Sequence, residues 1–157
     1  MKQKLFSWGD DFTIRNAQGE DSFFVDGKAF SLGDQLSFQD MARNELAFIK
    51  QKVFSWVRTY EIYRAGQLYA EMKKKPFTFL SCHFAVDIPG HDDLIAEGEF
   101  LDHEYFVKRG SEVVATISKQ WSPWTDTYGV DVDDRQDAVL LLACTVVIDM
   151  ACYPDRE

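Results

Sequence analysis

Residues Ala138–Cys152 form an almost continuous apolar run in which only Thr145 and Asp149 are polar. A helix that is apolar on every side has no face for water and has to be enclosed. Fifteen helical residues span roughly 22 Å, whereas a membrane-spanning helix takes about 20 apolar residues. The pattern therefore predicts a buried helix that the rest of the chain surrounds, and not a transmembrane segment.

The chain before residue 132 has a different pattern, in which short apolar or alternating runs are separated by turn residues. We count about twelve short strands there, and residues 40–44 fit either a short helical turn or an irregular link. The strand ranges that can be delimited are Phe12–Arg15, Ser22–Asp26, Lys28–Leu32, Gln35–Gln39, Leu46–Phe54, Thr59–Arg64, Leu68–Lys75, Phe77–Ile88 (one strand or two), Ile95–Phe100, Tyr105–Lys108 and Glu112–Trp121.

A run of strands that ends in one enclosed helix implies a closed or nearly closed β-barrel around that helix. Closure also protects strand edges from pairing with other chains. The segment of residues 131–137, which is rich in Asp, precedes the helix, and Asp133 or Asp134 would cap the helix N-terminus. No segment has linker-like composition, so we expect a single, mainly β domain over residues 1–157.

Composition and charge narrow the classes of function. The aromatic content of 15% agrees with half-buried strands. A net charge of −9 argues against general binding of nucleic acid, which requires cations against phosphates. The charge is uneven, because residues 43–75 hold eight Lys and Arg against three Glu, which gives +5 there and −14 elsewhere.

The basic segment is the first candidate site, a patch for an anion such as a phospholipid headgroup. Its residues are Lys50, Lys52, Arg58, Arg64, Lys73, Lys74 and Lys75. Successive strand residues point to opposite faces, so only some of these side chains can converge. The pattern favours the alternative, solvated charge on strands that aids solubility and discourages edge pairing.

Asp149 is the second candidate, because a carboxylate inside an enclosed helix must be paired, hydrogen-bonded or protonated. In a functional role it would be an acid with a shifted pKa or a ligand contact in the barrel lumen. In a structural role it would be bonded to an Arg or Lys, to the backbone or to a Tyr of a wall strand, or else it would mark the far end of the helix, near solvent. We favour the structural interpretation.

The third candidate is an aromatic surface at Trp121, Trp124 and Tyr128, which would contact a protein partner or a membrane interface. The pattern favours the alternative, in which these side chains form a packed cover where the barrel meets the helix.

The sequence contains no clear motif for metal binding, phosphate binding or catalysis. His83, His91 and His103 lack the spacing of a metal motif, and no phosphate loop or catalytic constellation is visible, so we expect no cofactor and no enzymatic activity. An odd count of three cysteines, Cys82, Cys144 and Cys152, predicts reduced, buried thiols in a reducing compartment. With no apolar run near the N-terminus long enough for a signal peptide, we expect a soluble cytoplasmic protein.

Several stretches in order resemble the bacterial branch of the LURP-one-related family, within the tubby C-terminal-like superfamily. They are Phe12-Thr-Ile-Arg-Asn-Ala-Gln-Gly-Glu-Asp, Phe24-Val-Asp-Gly-Lys, Glu45-Leu-Ala-Phe-Ile-Lys-Gln-Lys, Tyr60-Glu-Ile-Tyr-Arg-Ala-Gly-Gln-Leu and Ile117-Ser-Lys-Gln-Trp-Ser-Pro-Trp-Thr-Asp-Thr-Tyr-Gly-Val-Asp-Val, followed by the acidic segment and the apolar helix.

The resemblance implies a twelve-stranded antiparallel barrel around a central C-terminal helix. It offers no catalytic motif to map onto these residues. Related superfamily members bind phosphoinositide headgroups or are phospholipid scramblases. The resemblance and the basic segment together suggest a binding or scaffold domain for an anionic ligand, and the alternative is a protein-interaction or regulatory domain.

Overall fold

The computed structural model describes residues 1–8, 11–27, 33–76, 81–99, 103–120 and 126–152. Within these ranges the chain forms twelve strands and then one helix. The strands are β1 Lys2–Trp8, β2 Asp11–Asn16, β3 Asp21–Gly27, β4 Gln35–Asp40, β5 Glu45–Gln51, β6 Thr59–Arg64, β7 Gln67–Lys74, β8 Ser81–Asp87, β9 Leu94–Glu99, β10 Glu104–Arg109, β11 Glu112–Gln120 and β12 Asp126–Val132; the helix is α1, Ala138–Cys152.

The strands form a closed antiparallel barrel. Each strand pairs with its neighbours in the sequence, and β1 pairs with β12 in a register that runs from Lys2 opposite Asp131 to Ser7 opposite Asp126. Closure pairs the two strands that would otherwise be edges, so none of the twelve described strands has an unpaired edge that another chain could join. The predicted twelve-stranded barrel is therefore confirmed.

Alternation along the strands decides which side chains face inward. Ala70 and Met72 of β7 are buried, as are Cys82, Phe84 and Val86 of β8, while the residues between them are less buried. This period of two is the geometry of a pleated strand with one face on the core. The inward side chains leave an apolar lumen for the helix.

Helix α1 fills that lumen and lies against β5, β7 and β12. Twelve of its fifteen residues are buried, and its bounds are those predicted from the sequence. Asp137 caps its N-terminus, because its Oδ1 accepts a hydrogen bond from the Leu140 N–H at 3.1 Å. The prediction of Asp133 or Asp134 as the cap is wrong; Asp133 instead accepts hydrogen bonds from Arg135. In the described part of the chain, no helix is long and apolar enough to cross a membrane.

Some strand boundaries differ from the sequence prediction. Strands β1 and β12 were not delimited by the pattern, and the strand predicted to run to Phe54 ends at Gln51. Residues 40–44 are a turn between β4 and β5, closed by hydrogen bonds from the Asn44 backbone and side-chain N–H groups to the Asp40 carboxylate. The predicted strand Lys28–Leu32 lies outside the described residues.

The helix distinguishes the two ends of the barrel. We call the end that holds Asp137 the cap end, and it includes the turn from β6 to β7. The opposite end, where α1 finishes at Ala151 and Cys152, is the helix-exit end. It includes the loop of residues 52–58 between β5 and β6, because Arg58 contacts Ala151 there.

Candidate functional site

The helix-exit end brings two cations together on the last turn of α1. The final carbonyls of a helix have no partner within it and carry its negative dipole end. The last turn of α1 has no basic residue of its own. Arg58 Nη1 donates to the Ala151 carbonyl at 3.0 Å, and Lys74 Nζ donates to the same oxygen at 3.4 Å. The barrel wall thus supplies the positive charge that the helix lacks.

The register of two strands explains this convergence. Lys74 is the last residue of β7 and shares a strand face with the buried Ala70 and Met72, so its side chain turns toward the lumen at the rim. The Lys74 backbone N–H donates to the Arg58 carbonyl at 2.9 Å, which places Arg58 beside it. We call Arg58, Lys74 and the Ala151 carbonyl the helix-exit site.

Within the described ranges, no carboxylate neutralises the two cations of the helix-exit site. Among the described residues, neither Arg58 nor Lys74 forms a salt bridge with Asp or Glu, and one carbonyl oxygen is the acceptor for both. Burial and, second, the charge of Arg58 lower the pKa of Lys74. An anion placed here would reverse that shift, so the site favours negative charge.

Three other residues of the predicted patch lie on the outer face of the barrel, close to the carboxylates of Glu61 and Glu71. Lys73 Nζ is 2.7 Å from Glu71 Oε1, and Lys52 Nζ is 3.3 Å from Glu71 Oε2 and 3.8 Å from Glu61 Oε1. The Lys73 hydrogen bond is the main reason that the pKa of Glu71 lies below its ordinary value. Lys50 is exposed and lies opposite Glu61 in the register of β5 and β6. Each of these cations therefore has a carboxylate partner or cross-strand neighbour.

Arg64 lies at the other end of the barrel. Its Nη2 is 2.7 Å from Asp137 Oδ1, and its guanidinium lies over the Tyr69 ring at 4.3 Å from the centroid. Burial raises the pKa of Asp137, but hydrogen bonds from Arg64, the Leu140 N–H and Tyr69 outweigh burial and hold that pKa below its ordinary value. Arg64 thus supports the helix cap.

The seven basic residues consequently do not form one patch. Arg64 is separated from Arg58 and Lys74 by roughly the 22 Å length of the helix. Lys75 follows β7 on the outside, where its backbone N–H donates to the His83 carbonyl at 2.8 Å. Among the described residues, Arg58 and Lys74 converge on the Ala151 carbonyl, whereas Lys52 and Lys73 converge on the carboxylate of Glu71.

Asp149 is fully buried, and its Oδ1 accepts a hydrogen bond from the hydroxyl of Tyr128 on β12. Lys119 of β11 lies over the Tyr128 ring, with its Nζ 5.5 Å from the centroid. A wall Tyr was among the expected partners of a structural Asp149. Of the two interpretations of the aromatic segment, the exposed contact surface is wrong for Tyr128 and the favoured packed one fits it, because β12 turns this side chain inward with Val130 and Val132. Trp121 and Trp124 lie outside the described residues.

The loop of residues 52–58 carries a feature that the sequence pattern did not reveal. Phe54 and Trp56 are 98% and 105% exposed, and Val53 is 48% exposed. The apolar run from Leu46 predicted a strand as far as Phe54, yet pairing of β5 ends at Gln51. A useful signal was present in the spacing, since Phe54, Trp56 and the charged Arg58 alternate with Ser55 and Val57 and so cannot all face an apolar lumen.

A disulfide bond joins Cys82 of β8 to Cys152 at the end of α1, with Cα atoms 6.3 Å apart. The prediction of three reduced thiols is therefore wrong for this pair. Cys144 is a free, buried thiol whose pKa is raised to about 12, chiefly by burial. The sequence could not show the pairing, because Cys82 and Cys152 are brought together only by the barrel.

Metal binding has no support in the described ranges, where no three His, Cys, Asp or Glu residues come close enough to hold an ion. His83 belongs to β8, whereas His91 and His103 lie in the connections next to β9 and β10. Their spacing along the chain matches no metal motif, and the described structure does not bring the three histidines into one metal-binding cluster.

Twelve antiparallel strands closed around a buried C-terminal helix define this protein as a β-barrel with a helical core. A family model described as LURP-one-related matches residues 1–149. The chain belongs to the LURP-one-related family.

One relative agrees with that assignment, and one solved structure shares the fold. The uncharacterised protein YxjI of Bacillus subtilis (strain 168) is 32% identical over 157 residues, which is all of this chain and 94% of that protein. An X-ray structure of a protein from Arabidopsis thaliana matches with a TM-score of 0.70 and 17% identity, covering 94% of this chain and 90% of that one. The second similarity shows the fold alone.

Proposed function

We propose that this protein is a non-enzymatic binding domain for an anionic ligand of the phosphate class, such as a phospholipid headgroup. The observation that carries the proposal is the convergence of Arg58 and Lys74 on the Ala151 carbonyl, with no carboxylate partner for either in the described chain. Two cations beside each other at a partly buried rim are stabilised by an added anion.

The geometry suits a phosphate oxygen. An arginine presents several N–H donors in a fixed fork, and Arg58 uses Nη1 on Ala151, so other donors of its guanidinium can face a ligand. Lys74 adds a compact charge with three rotatable donors. Charge-assisted hydrogen bonds of this kind contribute about 1.5–3 kcal/mol each.

Calorimetric titration with inorganic phosphate tests the proposal, with sodium chloride at the same ionic strength as reference because salt screens surface charge. We expect Arg58→Gln and Lys74→Gln each to weaken phosphate binding by at least about tenfold, which corresponds to the loss of one charge-assisted hydrogen bond. Lys50→Gln, on the outer face, is the matched control and should bind as the wild type does. Equal binding by all four proteins, or no phosphate binding by the wild type, would contradict the proposal.

A protein-interaction domain is the alternative, and the exposed Phe54 and Trp56 are the observation that favours it. Placement in the tubby C-terminal-like superfamily and in a bacterial branch of the family rests on the sequence resemblance. A cytoplasmic location also stays a prediction. The Cys82–Cys152 disulfide weighs against it, because such bonds are rare in reducing compartments.

A further inference from the structure

The loop of residues 52–58 exposes its large apolar side chains to solvent. Phe54 and Trp56 are the most exposed large hydrophobic residues in the described chain, and the partly exposed Val53 precedes them. Single exposed apolar residues are ordinary, whereas neighbouring aromatic side chains that touch none of the barrel mark a contact site. We call residues 52–58 the aromatic loop.

Hydrogen bonds hold the aromatic loop in place, so its exposure is not fraying. The Lys52 N–H donates to the Thr59 carbonyl at 2.8 Å, which closes the base of the loop. Ser55 Oγ and Thr59 Oγ1 are 2.9 Å apart, and Thr59 Oγ1 donates to the Val57 carbonyl at 3.0 Å. A loop whose conformation is already fixed loses little conformational entropy when its tip binds to another molecule or surface.

Charge on the loop indicates the kind of surface that it meets. Residues 52–58 contain Lys52 and Arg58 and no carboxylate, in a chain whose net charge is −9. The pairs of Lys52 with Glu71 and Glu61 are partly exposed and hence weak. Arg58 also belongs to the helix-exit site, so the aromatic residues and the two cations that have no carboxylate partner in the described ranges share one end of the barrel.

We propose that the aromatic loop is a membrane anchor, which inserts Phe54 and Trp56 into the interfacial region of a bilayer that contains anionic phospholipid. The proposal rests on the proposed function, because Arg58 and Lys74 then take lipid phosphates while the rings enter the acyl boundary. Trp and other aromatic residues concentrate at that depth in membrane proteins, and Lys and Arg near the surface are attracted to anionic headgroups.

The size of the apolar surface favours a bilayer over a protein partner. A stable protein interface buries about 1,200–2,000 Å², and two aromatic side chains supply roughly 150–250 Å² each. A bilayer has no such requirement, because an apolar segment and basic charge act together as two signals. A pair of rings beside two cations meets that condition.

Vesicle flotation tests the anchor with the whole protein. The probes are vesicles of phosphatidylcholine alone and vesicles with about one-third phosphatidylglycerol, the anionic component. We compare the wild type with a Phe54→Ser, Trp56→Ser double variant and with Leu68→Ser, which removes an exposed apolar residue (44%) at the cap end. All three are also titrated with inorganic phosphate and examined for oligomeric state.

We expect the wild type and Leu68→Ser to float with the anionic vesicles only, and the double variant to lose at least about tenfold in vesicle affinity, equivalent to 1.4 kcal/mol. Its binding of phosphate should be unchanged, which separates the anchor from the helix-exit site. Flotation of the double variant like the wild type, or no flotation of the wild type, overturns the anchor whatever the phosphate titration shows. A wild-type dimer that becomes monomeric in the double variant overturns it in favour of a protein contact.

Discussion

The Cys82–Cys152 disulfide ties the end of the central helix to the barrel wall, and its removal gives a sharp test of the fold. Its loop spans a sequence separation of 70 residues. In the chain-entropy account, a cross-link over that length removes about 4.4 kcal/mol of freedom from the unfolded state. For a domain of this size, such a change lowers the melting temperature by roughly 9 to 18 °C.

Two measurements check this prediction together. Thiol titration in denaturant should find one free thiol, Cys144, before reduction and three after it. Thermal unfolding should then show the drop in melting temperature on reduction, and a Cys82→Ala, Cys152→Ala variant should melt low with or without reductant. The two sulfurs are buried with their residues, so reduction requires unfolding the protein first and refolding it in reductant.

Cys144 provides the control for this test, because it is the thiol outside the disulfide. Cys144→Ala should keep the full response to reductant, because Cys144 takes no part in the bond. Three titratable thiols in the unreduced protein would show that the bond does not form. A melting temperature that moves by less than about 2 °C on reduction would show that the bond does not restrain the unfolded chain as the entropy argument requires.

Two further predictions concern the close approach of Gly33 to Val53 and the N-terminal cap of helix α1. Gly33→Ala should destabilise the protein by about 1–3 kcal/mol in urea unfolding, because φ is +84° and a Cβ would lie 2.7 Å from Val53 Cγ2; Gly19→Ala, with φ of +82° and open space, should lose less. Equal losses would refute the contact. Asp137→Asn should cost about 1–3 kcal/mol at neutral pH, since Asn still caps but cannot pair with Arg64. The pKa of Asp137 is depressed on folding, so its contribution is present above 3.8 and is lost as pH falls through the lower folded pKa; a deficit that persists unchanged in acid would contradict the pairing.

The central helix could be predicted from the sequence because enclosure imposes a pattern that needs no partner. Residues 138–152 are apolar on every face, and no amphipathic surface helix has that composition. The barrel followed from the many short strands that had to surround it. Strand β12 was not delimited although Tyr128, Val130 and Val132 alternate with less buried residues, because the aromatic segment that includes Tyr128 was interpreted as a cover over the barrel and not as part of its wall.

The candidate site could not be predicted in the same way, since it depends on the register between strands. Lys52 and Lys73 look like free cations in the sequence, yet the barrel places Glu71 between them. Arg58 and Lys74 are no more basic than these neighbours, and only the end of α1 distinguishes them. Similarly, hydrophobic pattern alone does not distinguish the buried Phe84 from the exposed Phe54.

The two ends of the helix differ in how their charges are balanced, and this difference is our reason for proposing a binding site at the helix-exit end. At the cap end, Arg64 meets the carboxylate of Asp137, so the requirements of that end are met within the chain. At the helix-exit end, Arg58 and Lys74 share one carbonyl dipole, which carries only part of a unit charge. Because one cation would suffice to satisfy that carbonyl, Lys74 is a surplus positive charge among the described residues, and burial and the charge of Arg58 lower its pKa. A bound anion would neutralise this surplus of positive charge, which lies beside exposed aromatic side chains. For that reason we propose that the ligand binds at this end.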